Sequence, residues 1–96
     1  MYTIYVKFDC YPKKREAFVE AVKSEGILTA IRAEDGCISY DYYFSDSDEN
    51  ELLLIEAWES KHHQQVHIEQ PHMDRLREIK GDYIKTTTLG EFEIKN

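Results

Sequence analysis

Every histidine of this chain, together with its only tryptophan, falls in one stretch. Leu52 to His72 reads LLLIEAWESKHHQQVHIEQPH and holds Trp58, His62, His63, His67 and His72. Histidine takes up and releases protons near neutral pH, because its unperturbed pKa is about 6.5. The stretch therefore offers proton transfer or metal binding. His63 and His67 stand at i, i+4, a helical spacing that can chelate zinc. Adjacent His62 and His63, however, diverge by about 100° around a helix. No cysteine or acidic pair completes a tetrahedral set at motif spacing. We therefore expect no metal, with His62 and His63 facing solvent. His67 and His72 bracket Pro71 and are the candidates for a base or proton shuttle. Glu56 is a carboxylate on an otherwise apolar strand, and a buried charge must be paired. Its expected role is to orient His67.

The elements that position these residues follow from periodicity. Met1 to Asp9 alternates, with Tyr2, Ile4, Val6 and Phe8 on one face, which predicts a strand. From Lys13 the period becomes helical through Ala17, Phe18, Ala21 and Val22, with Pro12 just inside the start. Gly26 predicts a break, and Ile27, Leu28 and Ile31 a second helical piece to about Ala33. Glu34-Asp35-Gly36 reads as a turn. Cys37 to Phe44 is the second strand, with Ile38, Tyr40, Tyr42 and Phe44 on one face, and Leu52 to Trp58 the third. Ser60 caps a helix from Lys61 to about Ile68. Pro71 opens another, in which His72, Leu76 and Ile79 share a face and which Gly81 ends. Tyr83 to Ile94 is a last strand, with a bulge or bend at Gly90.

The order β-α-β-β-α-β predicts one α+β domain over residues 1–96, a ferredoxin-like antiparallel sheet with helices on one face. The third strand is apolar on both faces, through Leu52, Leu53, Leu54, Ile55, Ala57 and Trp58. A sheet with one wet face should alternate. Leu53, Ile55 and Ala57 therefore need cover from outside the chain, and a homodimer packed sheet against sheet is expected.

Bulk composition excludes several classes. A formal net charge of −7 without clustered Lys or Arg argues against nucleic acid and anionic membrane surfaces. No apolar run approaches the roughly 20 residues that span a bilayer. The N-terminus is strand-like, without a basic segment and cleavage site, which with two cysteines, Cys10 and Cys37, reads as a cytoplasmic protein with free thiols.

Three segments together resemble the antibiotic biosynthesis monooxygenase superfamily: EDGCISY (Glu34 to Tyr40), LIEAW (Leu54 to Trp58) and HIEQPH (His67 to His72). The resemblance covers nearly the whole chain. It implies a dimeric α+β barrel with a pocket between sheet and helices, faced by Trp58 and, by the strand period, Leu54 and Glu56. It implies a cofactor-independent monooxygenase acting with O₂ on a small phenolic or quinol-like compound, with no metal, flavin or haem. In such chemistry the deprotonated substrate gives an electron to O₂ itself. The protein supplies a base, a dry cavity and hydrogen bonds. Tyr40 and Tyr42 could donate some of those bonds. Haem-degrading relatives also use an asparagine on strand one. Here YTIYVKFD has none, and the asparagines are Asn50 and Asn96. Each candidate also has a purely structural use: histidines can hold the turn at Pro71, and a lone tryptophan can fill core. A non-catalytic small-molecule binding protein and an isomerase on the same scaffold are the alternatives.

Overall fold

The structure is a computed structural model that describes residues 1–95; Asn96 lies outside the described residues. Strand β1 (Tyr2–Cys10) is followed by helices α1 (Arg15–Ser24) and α2 (Ile27–Arg32) and strands β2 (Cys37–Phe44) and β3 (Glu51–Trp58). Helices α3 (Lys61–His67) and α4 (Pro71–Tyr83) precede strand β4 (Ile84–Glu91). The sheet order is β2-β3-β1-β4, with every neighbouring pair antiparallel. This is the expected ferredoxin-like arrangement. Period-2 alternation sends Ile4, Val6, Phe8, Leu52, Leu54 and Trp58 to the helix side. Phe18 and Val22 of α1, Leu28 and Ile31 of α2, and Met73, Leu76 and Ile79 of α4 close over them. On the outer face of β3, Leu53 and Ile55 are half-buried, with Tyr43 of β2 exposed beside Leu53.

Five expectations are corrected. Pro12 lies in a turn ahead of α1 rather than inside it, and Lys13 takes φ 64 before the helix begins at Arg15. The β2–β3 register shifts between Cys37 and Ser39, so Cys37 opposes Trp58 and Ile38 sits in the bulge, 53% exposed rather than inward. Gly81 does not end α4, which continues to Tyr83. β4 stops at Glu91. Its irregularity lies opposite Asp9 and Cys10, while Gly90 instead makes room for Tyr5, whose ring carbons would lie 2.8 Å from a Cβ there. Both cysteines are free, Cys10 buried and Cys37 half-buried.

Gly26 separates α1 from α2 with φ 76, as its position predicts. Gly36 has φ 81, and a Cβ there would run into the His63 ring, whereas one at Gly26 meets nothing within 4 Å. Gly26→Ala is therefore expected to cost about 1–2 kcal/mol, the ordinary left-handed penalty. Gly36→Ala should cost more, because the ring must also move. Urea midpoints of the two variants decide this, and equal shifts would contradict it.

Candidate active site

The site is built where the turn after α2 meets the ends of α3 and α4. The turn is fixed by its backbone: Glu34 N–H donates to Ile31 O at 3.0 Å, Cys37 N–H to Glu34 O at 3.2 Å and Glu59 N–H to Gly36 O at 2.8 Å. Its left-handed Gly36 lets the chain turn into β2 against His63. Ser60 caps α3, its Oγ accepting from His63 N–H at 3.2 Å and sharing a 2.7 Å hydrogen bond with His63 Nδ1. Removing this hydroxyl in Ser60→Ala should cost about 1 kcal/mol. A thermal-shift or urea titration checks it, and an unchanged midpoint would show that the cap contributes nothing.

His67 is the last residue of α3 and is 1% exposed. Its Nδ1 lies 3.0 and 2.9 Å from the two carboxylate oxygens of Glu34. Pro71 opens α4, which places His72 in the first turn with Nε2 2.7 Å from Glu34 Oε2. One carboxylate thus joins two imidazoles from two helices. The His67 ring packs on Trp58, centroids 4.6 Å apart, and meets Tyr40 edge-on at 5.8 Å. Trp58 Nε1–H donates to Glu56 Oε1 at 3.0 Å. Leu54 and Tyr40 are buried on the same helix-side face. Tyr42 stands edge-on to Tyr40 at 6.0 Å.

Electrostatics follow burial. Loss of water pushes the His67 pKa down, and the bond to Glu34 opposes that shift. Burial pushes the Glu56 carboxyl up, opposed first by the Trp58 N–H and then by the charge of Lys80. Burial also drives the Tyr40 hydroxyl well above its ordinary range. Lys80 on α4 is half-buried, its ammonium 5.2 Å from the Phe8 ring centroid, and burial lowers its pKa.

Several expectations change here. The carboxylate on His67 is Glu34, whereas Glu56 is held by Trp58. In the sequence Glu34 stands in a turn and opens the EDGCISY segment, with no mark of a partner for His67. The signal available was its position directly after an apolar helix, where a carboxylate can turn back onto a neighbour. Lys80, on the α4 face that also carries Leu76, adds a charge near His67 and Glu56 that the sequence does not predict. His62 is exposed as expected, but His63 is half-buried, its Nε2 3.6 Å from Asp35 and 3.8 Å from Glu59. His63 and His67 do not converge: one ring turns to Ser60 and the other to Glu34. The outer side of Glu34 opens on a cleft of ≈ 240 Å³, also lined by Asp35, His62, His63, Val66 and Gln70. No helix among the described residues is long and apolar enough to cross a membrane.

The fold and this site define an α+β domain with a buried histidine between sheet and helices, in contact with an aromatic wall and a carboxylate. Residues 1–79 match the model of the antibiotic biosynthesis monooxygenase family, and the chain belongs to that family. It is similar to Rv0793 of Mycobacterium tuberculosis, with 38% identity over 60 residues, 62% of this chain and 58% of that protein. It is also similar to YcnE of Bacillus subtilis, with 31% identity over 61 residues, 64% of this chain and 62% of that protein. Both are named as candidate monooxygenases. The chain spans about half to three fifths of the length of the curated relatives it matches. The solved structure of Rv0793 superposes with a TM-score of 0.82 at 27% identity, covering 99% of this chain and 95% of that one. A Nitrosomonas europaea structure gives 0.84 at 23% identity, covering 97% of each chain, and speaks to the fold alone.

Proposed function

We infer that this protein is a cofactor-independent monooxygenase that oxidises a small phenolic or quinol-type compound with O₂. The observation that carries this reading is a buried, uncharged-leaning imidazole, His67, packed on Trp58 and bonded to Glu34 in a chain of this family. A base of lowered pKa is largely unprotonated at neutral pH and ready to accept a proton. His67 or His72 removes the substrate proton; Trp58, Tyr40 and Leu54 line the pocket, and Glu56 reaches it through Trp58. The phenolate then reduces O₂ directly. In a phenol-to-quinone conversion one oxygen atom enters the ring and the other leaves as water with the substrate's two hydrogens. The step requires no metal or organic cofactor.

The active form in this reading is a cytoplasmic homodimer, joined through the outer sheet face of Leu53, Ile55, Ala57 and Tyr43. Half-buried Leu53 and Ile55 on that face support it, since an apolar sheet face left in water favours association. Light scattering at micromolar concentration should give twice the chain mass of 11.4 kDa. A monomeric mass would remove this part of the proposal. Oxygen uptake with hydroquinones and anthrones tests the activity, and distinguishes it from an isomerase or a binding protein, which would consume none.

A further inference from the structure

We propose that Glu34 is a positioning residue that makes Nε2 of His67, and neither nitrogen of His72, the proton-accepting atom. This rests on the reading above that one of these histidines is the base, and narrows it to one atom. An ionised carboxylate only accepts hydrogen bonds. At each contact the histidine must therefore be the donor: His67 through Nδ1–H at 2.9 Å and His72 through Nε2–H at 2.7 Å. A neutral imidazole carries one proton, so the lone pairs fall on the opposite nitrogens, Nε2 of His67 and Nδ1 of His72.

The surroundings then separate the two. The His67 side chain is 1% exposed and its ring packs against both Trp58 and Tyr40. The His72 side chain is 23% exposed at the mouth of α4. The lone pair of His67 therefore sits on the ring with far less exposure to bulk water, so a substrate oxygen brought to it is the more fully desolvated. In the step, the substrate O–H bond breaks, its electron pair stays on the substrate oxygen, and an N–H bond forms at Nε2. The imidazolium faces the Glu34 carboxylate through Nδ1–H. This is the tautomer-fixing role that a carboxylate plays beside a catalytic histidine. Glu34 and His72 hold no reacting atom and act through His67. The other ionisable groups around this ring are Tyr40 from β2, edge-on to it, and His72 and Lys80 from α4, whose charges act on it. None of them is hydrogen-bonded to it among the described residues.

Nitrogen-15 imidazole correlation spectra of the wild-type protein at pH 7.5 test this without any substrate. The expected result is a protonated Nδ1 and bare Nε2 on His67, and the reverse on His72. In Glu34→Gln the lock is lost: His67 should show mixed tautomers and a lower titration midpoint than the wild type, since a charged partner is removed. Glu34→Asp should restore most of the wild-type pattern. An Nε2-protonated His67 in the wild type overturns the assignment, as does a His67 spectrum that Glu34→Gln leaves unmoved. Because the wild-type spectrum alone decides, an unstable variant does not shield the proposal. The correct tautomer with no oxygen uptake would sink the activity and spare this assignment; turnover with the wrong tautomer would do the opposite.

Discussion

Trp58→Ala should cost about 3–5 kcal/mol of stability, the range for deleting a large buried aromatic. Trp58 is 0% exposed and is the wall against which His67 packs. Its loss opens a cavity at the junction of β3 and α3. It also strips Glu56 of its N–H donor, and a buried acceptor left unpaired costs a further ~1–3 kcal/mol. A domain of this size has only about 5–15 kcal/mol in total. The variant should therefore be partly unfolded at 37 °C, with a strongly reduced urea midpoint. Trp58→Phe separates the two contributions. It keeps most of the packing and removes only the donor, so it should lose about 1–3 kcal/mol. A fall of under 1 kcal/mol in Trp58→Ala would mean that the ring is not integral to the core.

The second large effect concerns His67. His67→Ala should reduce turnover by about 10²- to 10⁴-fold, the usual contribution of a general base. His72→Ala should lower it less, because His72 supports Glu34 and takes no substrate proton. Stability must be measured alongside, since removing the His67 donor leaves the Glu34 carboxylate short of a partner at a cost of ~1–3 kcal/mol. The pH dependence has a definite sign. The His67 pKa in the folded protein lies below its ordinary 6.5. The base is therefore already neutral at pH 7, and kcat/KM should fall only as pH drops below about 6.5. Stability moves the same way. The unfolded chain binds the His67 proton more readily, so the contribution is complete above pH 6.5 and is lost as pH falls toward the folded value. Glu56 runs oppositely. Its folded pKa is raised above 4.5, so its contribution is present below that pH and is lost as pH rises through the folded value. A kcat/KM that keeps rising from neutrality to pH 9 would point to a different base.

Much of the fold was legible because two periods coincide with burial. The two-residue period of a strand places Ile4 of β1 and Leu54, Glu56 and Trp58 of β3 on the helix side, as the sequence predicts. The left-handed glycine at Gly26 broke the first helix where the sequence indicated. The failures are equally physical. Ile38 went to the outside because a single bulge reverses alternation, and no local residue pattern announces it. Gly81 stayed helical because the α4 frame continues through Met73, Leu76 and Ile79 to Tyr83, and packing outweighs a propensity cost of about 1 kcal/mol. The partner of His67 is not legible in the sequence, because separation along the chain carries no information about it. Glu34 lies 33 residues away, yet the turn at Gly36 folds it onto the end of α3. Glu56 is nearer in sequence, but the strand pleat points it at Trp58.

Oxygen uptake by tag-free, chelator-treated protein tests the central claim most directly. With a panel of hydroquinones and anthrones, at least one compound should be consumed at one O₂ per molecule, well above its buffer autoxidation rate. The rate should collapse in a folded His67→Ala variant. No uptake across the panel, or equal uptake by wild type and His67→Ala, would contradict a cofactor-independent monooxygenase working through this histidine.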